Sequence, residues 1–165
     1  MNDAALQNRP QEAHSREIRV EEFFPHSPEA IWKTLTSGEL MGRWVGMAPT
    51  GFEPVVGNRF TYQTTPGGEW DGTIHCEVLE VIPNQRFVYS WKGGHESNSG
   101  YGAPLDTLVT FTLEKAEGGT RLGLLHTGFV LPRNETAYRG MSNGWPQVVS
   151  RVGTISGERD PETRR

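Results

Sequence analysis

The spacing of hydrophobic residues changes along the chain and predicts a domain of mixed strands and helices. Ile18 and Val20 alternate with polar residues in 17–24, which is typical of a strand. Ser27-Pro28-Glu29 then offers an N-cap, a proline at the first helical position and an early acidic residue. We therefore expect a short helix after the first strand, followed by a second short helix over 39–44.

Five strand-like runs follow, separated by turns rich in Pro, Gly and Asn. The predicted strands are 58–65, 70–82, 86–92, 106–115 and 119–129. Sequential strands joined by short turns pair in an antiparallel meander. The sequence therefore predicts an antiparallel sheet of about six strands.

The last apolar residues change to helical spacing and predict a long helix over 134–154. The residues that carry this period are Tyr138, Met141, Trp145, Val148, Val149 and Val152. Gly144 and Pro146 are expected to weaken or bend the helix. A single long amphipathic helix would cover the concave face of the curved sheet, and an interior would lie between them.

The ends of the chain differ in composition from the segment between them. Residues 1–15 are polar and include Pro10, whereas 157–165 are charged and include Pro161. Both segments are predicted to be flexible tails that flank one domain over 16–156.

Composition narrows the class of protein further. The 165 residues are 35% hydrophobic and 22% charged, and the formal net charge is −4, which argues against nucleic-acid binding. No run reaches the roughly 20 apolar residues that a membrane span needs. Cys76 is the only cysteine, so an internal disulfide is excluded and a cytoplasmic location is expected.

Several short motifs in order resemble the START-like SRPBCC superfamily, in the branch related to the activator of the ninety-kilodalton heat-shock chaperone ATPase. The resemblance covers about residues 17–155. The motifs lie at 24–32, 39–44, 57–60, 77–83, 86–91, 119–129 and 144–145.

This resemblance implies a helix-grip fold, with two short helices after the first strand and a ligand-holding cavity between sheet and long helix. The expected function is binding of a small apolar or amphipathic molecule, whose identity stays open. The alternatives are a cavity enzyme of cyclase or hydrolase type and a chaperone-interaction module. Whether the chain is an enzyme is left open, with binding preferred, and a homodimer is also left open.

The predicted cavity walls come from helix and strand spacing. Met141 and Trp145 are four residues apart and share one helix face. Phe111, Leu124 and His126 are expected on the opposite wall, since alternation places them on one face of the sheet. Two further candidates are Trp91 and Trp44. For each tryptophan, packing in a solid core is the competing interpretation.

Polar chemistry is sparse at these positions. An inward His126 would orient a ligand or act as a base, or would simply hydrogen bond to a neighbour. Alternation places Glu77 and Glu80 on opposite faces of their strand, so one of the two is expected to face the cavity as a possible partner of His126, unless a β-bulge resets the register. No spacing suggests a metal site, and no cofactor is expected. The Gly- and Ser-rich segment 93–104 is interpreted either as a lid with Tyr101 as its anchor or as a plain hairpin end.

Overall fold

The computed structural model describes residues 14–159, and their elements follow the predicted order. These are β1 (His14–Phe24), α1 (Pro28–Leu35), α2 (Gly38–Val45), β2 (Arg59–Gln63), β3 (Thr73–Ile82), β4 (Arg86–Gly93), β5 (Leu105–Ala116), β6 (Gly119–Leu131) and α3 (Glu135–Arg159). The six strands form one antiparallel sheet in the order β1-β6-β5-β4-β3-β2. The predicted α+β helix-grip fold is confirmed.

Both terminal elements extend beyond the predicted domain limits. β1 begins at His14 and α3 ends at Arg159, so each continues a few residues into a segment predicted as a tail. The remainder of those two segments, 1–13 and 160–165, lies outside the described residues.

The short helices begin at the capping residues that the sequence supplies. Ser27 Oγ accepts a hydrogen bond from the Ala30 amide at 3.1 Å, and Pro28 occupies the first turn, as predicted. Ser37 caps α2 in the same way through the Leu40 amide at 3.3 Å. Two caps, at Ser27 and Ser37, therefore explain why the chain forms two helices here and not one.

The strand predicted over 70–82 begins later, at Thr73. Trp70 and Asp71 belong to a loop, in which Gln63 Nε2 donates to the Asp71 carbonyl at 2.8 Å. Gly72 follows with φ of +83°, a left-handed conformation that interrupts extended backbone. This loop places Trp70 beside the sheet instead of within it.

The long helix α3 does not end at Gly144 or Pro146 but continues to Arg159. Its second half packs into the core, where Trp145, Val149, Val152 and Ile155 are buried. The helix as a whole contacts β1, β6, α1 and α2, and each buried apolar side chain contributes roughly 1.5–3 kcal/mol to stability. The first half is only partly buried, so the two halves of α3 differ in their packing.

A close contact between α3 and β1 fixes the packed half of the helix. A Cβ atom added at Gly153 would overlap the Phe24 ring, so only glycine allows the helix to approach so closely.

None of the helices formed by residues 14–159 combines the length and apolar character that a membrane crossing requires.

Candidate functional site

An apolar cavity of about 350 Å³ lies between the first half of α3 and the adjoining end of β3 and β4. The helix contributes small side chains and one larger one, and the sheet contributes three apolar side chains and one glycine. These wall residues are Thr136, Ala137, Gly140 and Met141 from α3, and Ile74, Trp91, Gly93 and Leu105 from the sheet. None of the residues that line the cavity carries a charge, so it suits an uncharged or mainly apolar guest.

Two loops close one end of the cavity, and we call residues 64–72 and 94–104 together the clasp. Asn98 joins the loops, because its Oδ1 accepts from the Glu69 amide at 3.0 Å and its Nδ2 donates to the Gly67 carbonyl at 2.7 Å. Tyr101 donates its hydroxyl hydrogen to the Thr65 carbonyl and packs on Trp70, with ring centroids 5.5 Å apart. The segment interpreted from the sequence as a lid or a plain hairpin end is thus anchored by Tyr101, as the lid interpretation expected, and by the unpredicted Asn98.

A smaller hollow of about 210 Å³ adjoins the cavity further along α3. The two spaces share the wall residues Met47, Trp91, Gly140 and Met141. Trp145 borders the smaller hollow at the point where α3 becomes fully packed. The open space therefore follows the half of the helix that carries small residues.

His126 lies behind Trp145 in a fully satisfied hydrogen-bond chain. Trp145 Nε1 donates to His126 Nδ1 at 3.0 Å, so Nδ1 is an acceptor and Nε2 carries the ring proton. His126 Nε2 then donates to Thr107 Oγ1 at 2.8 Å, and Thr107 donates to the Trp91 carbonyl at 2.8 Å. The chain links α3, β6, β5 and β4 through one neutral imidazole.

Burial lowers the pKa of His126 from its ordinary value of 6.5 to about 3. The ring is fully buried, and no carboxylate is among its hydrogen-bond partners. His126 is thus uncharged near neutral pH and has both nitrogens occupied, which corresponds to the simpler of the two interpretations made from the sequence.

The predicted cavity residues divide into two groups. Trp91 and Met141 line the cavity, and Trp145 borders the adjoining hollow. The other four lie in the solid core behind them: Trp44, Phe111, Leu124 and His126. Trp44 donates its indole hydrogen to the Thr34 carbonyl at 2.9 Å and packs edge-on against Phe111 at 5.6 Å between centroids. The opposite wall expected at β5 and β6 is therefore filled by core packing, and the cavity lies nearer β3 and β4.

Neither candidate acid faces the interior. The register of β3 against β4 shifts between Val78 and Glu80, and this bulge turns Glu80 outward to an ion pair with Arg86 at 2.7 Å. Glu77 lies on the outer face, 3.6 Å from Arg59. The hypothesis that Glu77 or Glu80 forms an acid–base couple with His126 is therefore wrong. Among the described residues, no three side chains of His, Cys, Asp or Glu come together as a metal site would require.

Several residues that shape the interior were not among the site residues predicted from the sequence. Trp70 and Met47 line the cavity from loops, where periodicity gives no prediction of direction. Tyr62 lies on β2 beside the cavity residue Ile74, with which it pairs across the strands. Its alternation with Phe60 was a usable signal, since both side chains are buried on one face.

A curved antiparallel sheet that grips a long helix, with an apolar cavity against that helix, defines a cavity protein of the helix-grip class. Residues 25–155 match the family described as Activator of Hsp90 ATPase homolog 1-like protein, and the chain belongs to this family. The family relationship predicted from the sequence motifs is thereby confirmed. None of the curated proteins is significantly similar to the chain.

Solved structures agree with this assignment. Protein MLL2253 from Mesorhizobium loti is 34% identical, with a TM-score of 0.75 over 88% of this chain and 99% of that one. The Aha1 dimer from Colwellia psychrerythraea is 20% identical, with a TM-score of 0.63 over 84% and 93% of the two chains. DynU16, a putative protein in the dynemicin biosynthetic locus, is 20% identical, with a TM-score of 0.65 over 88% of this chain and 48% of its own. The last two similarities show the fold alone.

Proposed function

We propose that the chain binds a small apolar or amphipathic molecule in the cavity between α3 and the sheet. The observation that carries the proposal is the contrast within α3, whose second half is packed solid while the first half borders an open space of about 350 Å³. A volume of that order lies within the roughly 300–1,000 Å³ of small-molecule sites. The same helix that secures the core therefore leaves room for a guest.

The chemistry of the wall supports binding more than catalysis. The cavity is lined by apolar and small residues with two threonines, Thr64 and Thr136, and no charged group. The buried histidine nearest to it uses both ring nitrogens in hydrogen bonds. A general base needs a free nitrogen and a pKa near the working pH, and His126 has neither.

The direct test is titration of the purified protein with Nile red, a neutral dye whose emission rises in apolar surroundings. The wild type is expected to bind the dye, and Gly140→Leu is expected to bind it at least tenfold more weakly. Gly140 lines the cavity and a Cβ there meets no atom within 4 Å, so we expect a leucine at this position to narrow the cavity without a clash. Replacing a helical glycine also adds about 1 kcal/mol of helix propensity.

Asn143→Leu is the matched control, since residue 143 is exposed on the same helix and the same side chain is added there. Equal binding by the wild type and both variants would contradict the proposal, as would the absence of binding by a folded wild type. Native mass spectrometry of the protein as purified would then identify a natural guest. Whether the chain forms a homodimer stays open, and light scattering on the same sample decides it.

A further inference from the structure

Two tyrosine hydroxyls are buried inside the fold without a hydrogen-bond partner. Tyr62 is 1% exposed and Tyr89 is not exposed, and their hydroxyl oxygens are the only buried side-chain polar atoms without a partner within residues 14–159. Buried polar groups are nearly always paired, so each exception requires a reason. An unfilled ligand site is one such reason.

The two hydroxyls approach each other as a hydrogen-bonding pair, and both interact electrostatically with Cys76, which places the three groups in one small polar cluster. Neither hydroxyl, however, forms a hydrogen bond of proper geometry to the other. A hydroxyl has one donor hydrogen, so even a shared bond would leave one O–H without an acceptor. The cluster therefore offers at least one hydrogen-bond donor to an incoming group.

The cluster adjoins the cavity through two of its wall residues. The Tyr62 ring packs on the Trp91 ring with centroids 5.5 Å apart, and Tyr62 pairs with Ile74 across β2 and β3. Both Trp91 and Ile74 line the cavity, as does Thr64, which directly follows the end of β2. Tyr62 thus lies directly behind two residues of the cavity wall.

We propose that the polar end of the bound molecule passes the edge of the Trp91 ring and accepts a hydrogen bond from the Tyr62–Tyr89 pair. This inference rests on the proposed function and specifies the chemistry of the guest, which is an uncharged, mainly apolar molecule with one terminal carbonyl or hydroxyl group. A carboxylate is disfavoured, because no cationic side chain lines the cavity to compensate for its lost hydration.

The protonation state of the pair supports the same chemistry. Burial raises the pKa of Tyr62 and of Tyr89, so both phenols keep their hydrogen at any pH at which the protein is handled. Burial likewise raises the pKa of the Cys76 thiol. All three groups are neutral, and a neutral acceptor fits beside them.

The test uses acetylnaphthalene and ethylnaphthalene, which have nearly the same shape and differ in one carbonyl oxygen. The wild type is expected to prefer the ketone, and the ratio of the two dissociation constants is the measured quantity. The double variant Tyr62→Phe/Tyr89→Phe is expected to lose about 5- to 20-fold in affinity for the ketone, as loss of one buried hydrogen bond implies. Affinity for the hydrocarbon should stay within about twofold, so the preference disappears.

Thermal unfolding separates this role from a structural one. Removal of partnerless hydroxyls should leave the melting temperature of the free protein unchanged or higher, while a structural hydrogen bond would lower it. Tyr138→Phe is the control, since Tyr138 OH contacts the Glu17 carbonyl at 3.4 Å and lies outside the cavity wall. That variant should keep the preference for the ketone.

The outcomes distinguish the two proposals. If neither naphthalene binds the wild type, the proposed function itself is wrong. If both bind equally, or if the double variant keeps the preference, the cavity binds ligands but the tyrosine pair does not recognise them. Naphthoate should bind at least tenfold more weakly than the ketone, and tighter binding of the anion would refute a neutral guest.

Discussion

Lowering the pH should destabilise the protein through His126 alone by an amount that the structure allows one to calculate. In the unfolded chain this imidazole takes up a proton near its ordinary pKa of 6.5, whereas burial lowers the pKa in the folded protein to about 3. Because the pKa of His126 is lower in the folded protein than in the unfolded chain, the unfolded chain binds a proton first as the pH falls. The stability that the neutral ring contributes is therefore complete above pH 6.5 and is lost as the pH falls toward 3. A pH of 5 lies 1.5 units below the pKa of His126 in the unfolded chain. Protonation of the unfolded chain at this pH therefore lowers the free energy of unfolding by about 2 kcal/mol.

Urea unfolding followed by tryptophan fluorescence at pH 7.5 and 5.0 measures this loss. The matched variant is His126→Gln, because a glutamine amide presents one donor and one acceptor to Thr107 and Trp145 but does not titrate. Its absolute stability is expected to be lower, since the imidazole ring also packs against Phe129 with centroids 4.6 Å apart. The decisive quantity is the difference between the two pH values within each protein.

The wild type should lose about 2 kcal/mol more free energy of unfolding than the variant between these two pH values. Other groups that titrate in this range contribute equally to both proteins and cancel. Identical pH dependence in the two proteins would show that His126 accepts a proton in the folded state. The assignment of a neutral ring with two occupied nitrogens would then be wrong.

Two further changes test the clasp and the helix contact. Asn98→Ala removes the hydrogen bonds that join the two loops of the clasp, so Nile red should dissociate faster while the free energy of unfolding falls by only about 1–2 kcal/mol. Stopped-flow displacement measures the dissociation rate, and urea unfolding measures the stability. An unchanged dissociation rate would contradict the role of the clasp in closing the cavity. Gly153→Val should lower the free energy of unfolding by about 1–3 kcal/mol, because its side chain overlaps Phe24, whereas Gly144→Ala should not, since its Cβ meets open space. Equal stability of both glycine variants would contradict the close packing of α3 on β1.

Predictions from the sequence succeeded where one periodic signal determined the outcome. Alternation placed Leu122, Leu124 and His126 on one inward face, and all three are buried on β6. The capping signal at Ser27 located the start of α1. Hydrophobic spacing, however, determines which face of an element is buried and not what lies opposite it. That limit explains why Phe111 and Leu124 were expected on a cavity wall and instead pack in the core.

Two features of the interior depended on contacts between distant parts of the chain. The bulge beyond Val78 reverses the direction of Glu80, and it arises from pairing with β4, which the sequence of β3 alone does not reveal. Asn98 was unpredicted because its partners lie about thirty residues away, in the loop that carries Gly67 and Glu69. The strand predicted over 70–82 included Trp70, which instead lies in a loop, and loops have no period that would predict the direction of its side chain.

The cavity exists because α3 changes side-chain size at Trp145. Before that residue, the helix positions that border the open space are Thr136, Ala137, Gly140 and Gly144, and Met141 is the only large side chain that this half of α3 places there. From Trp145 onward, Trp145, Val149, Val152 and Ile155 are buried, and Val148 borders the smaller hollow. The second half supplies the burial that holds the helix in place, so the first half remains in position without filling its own space. One helix thereby both stabilises the fold and provides one wall of the binding site.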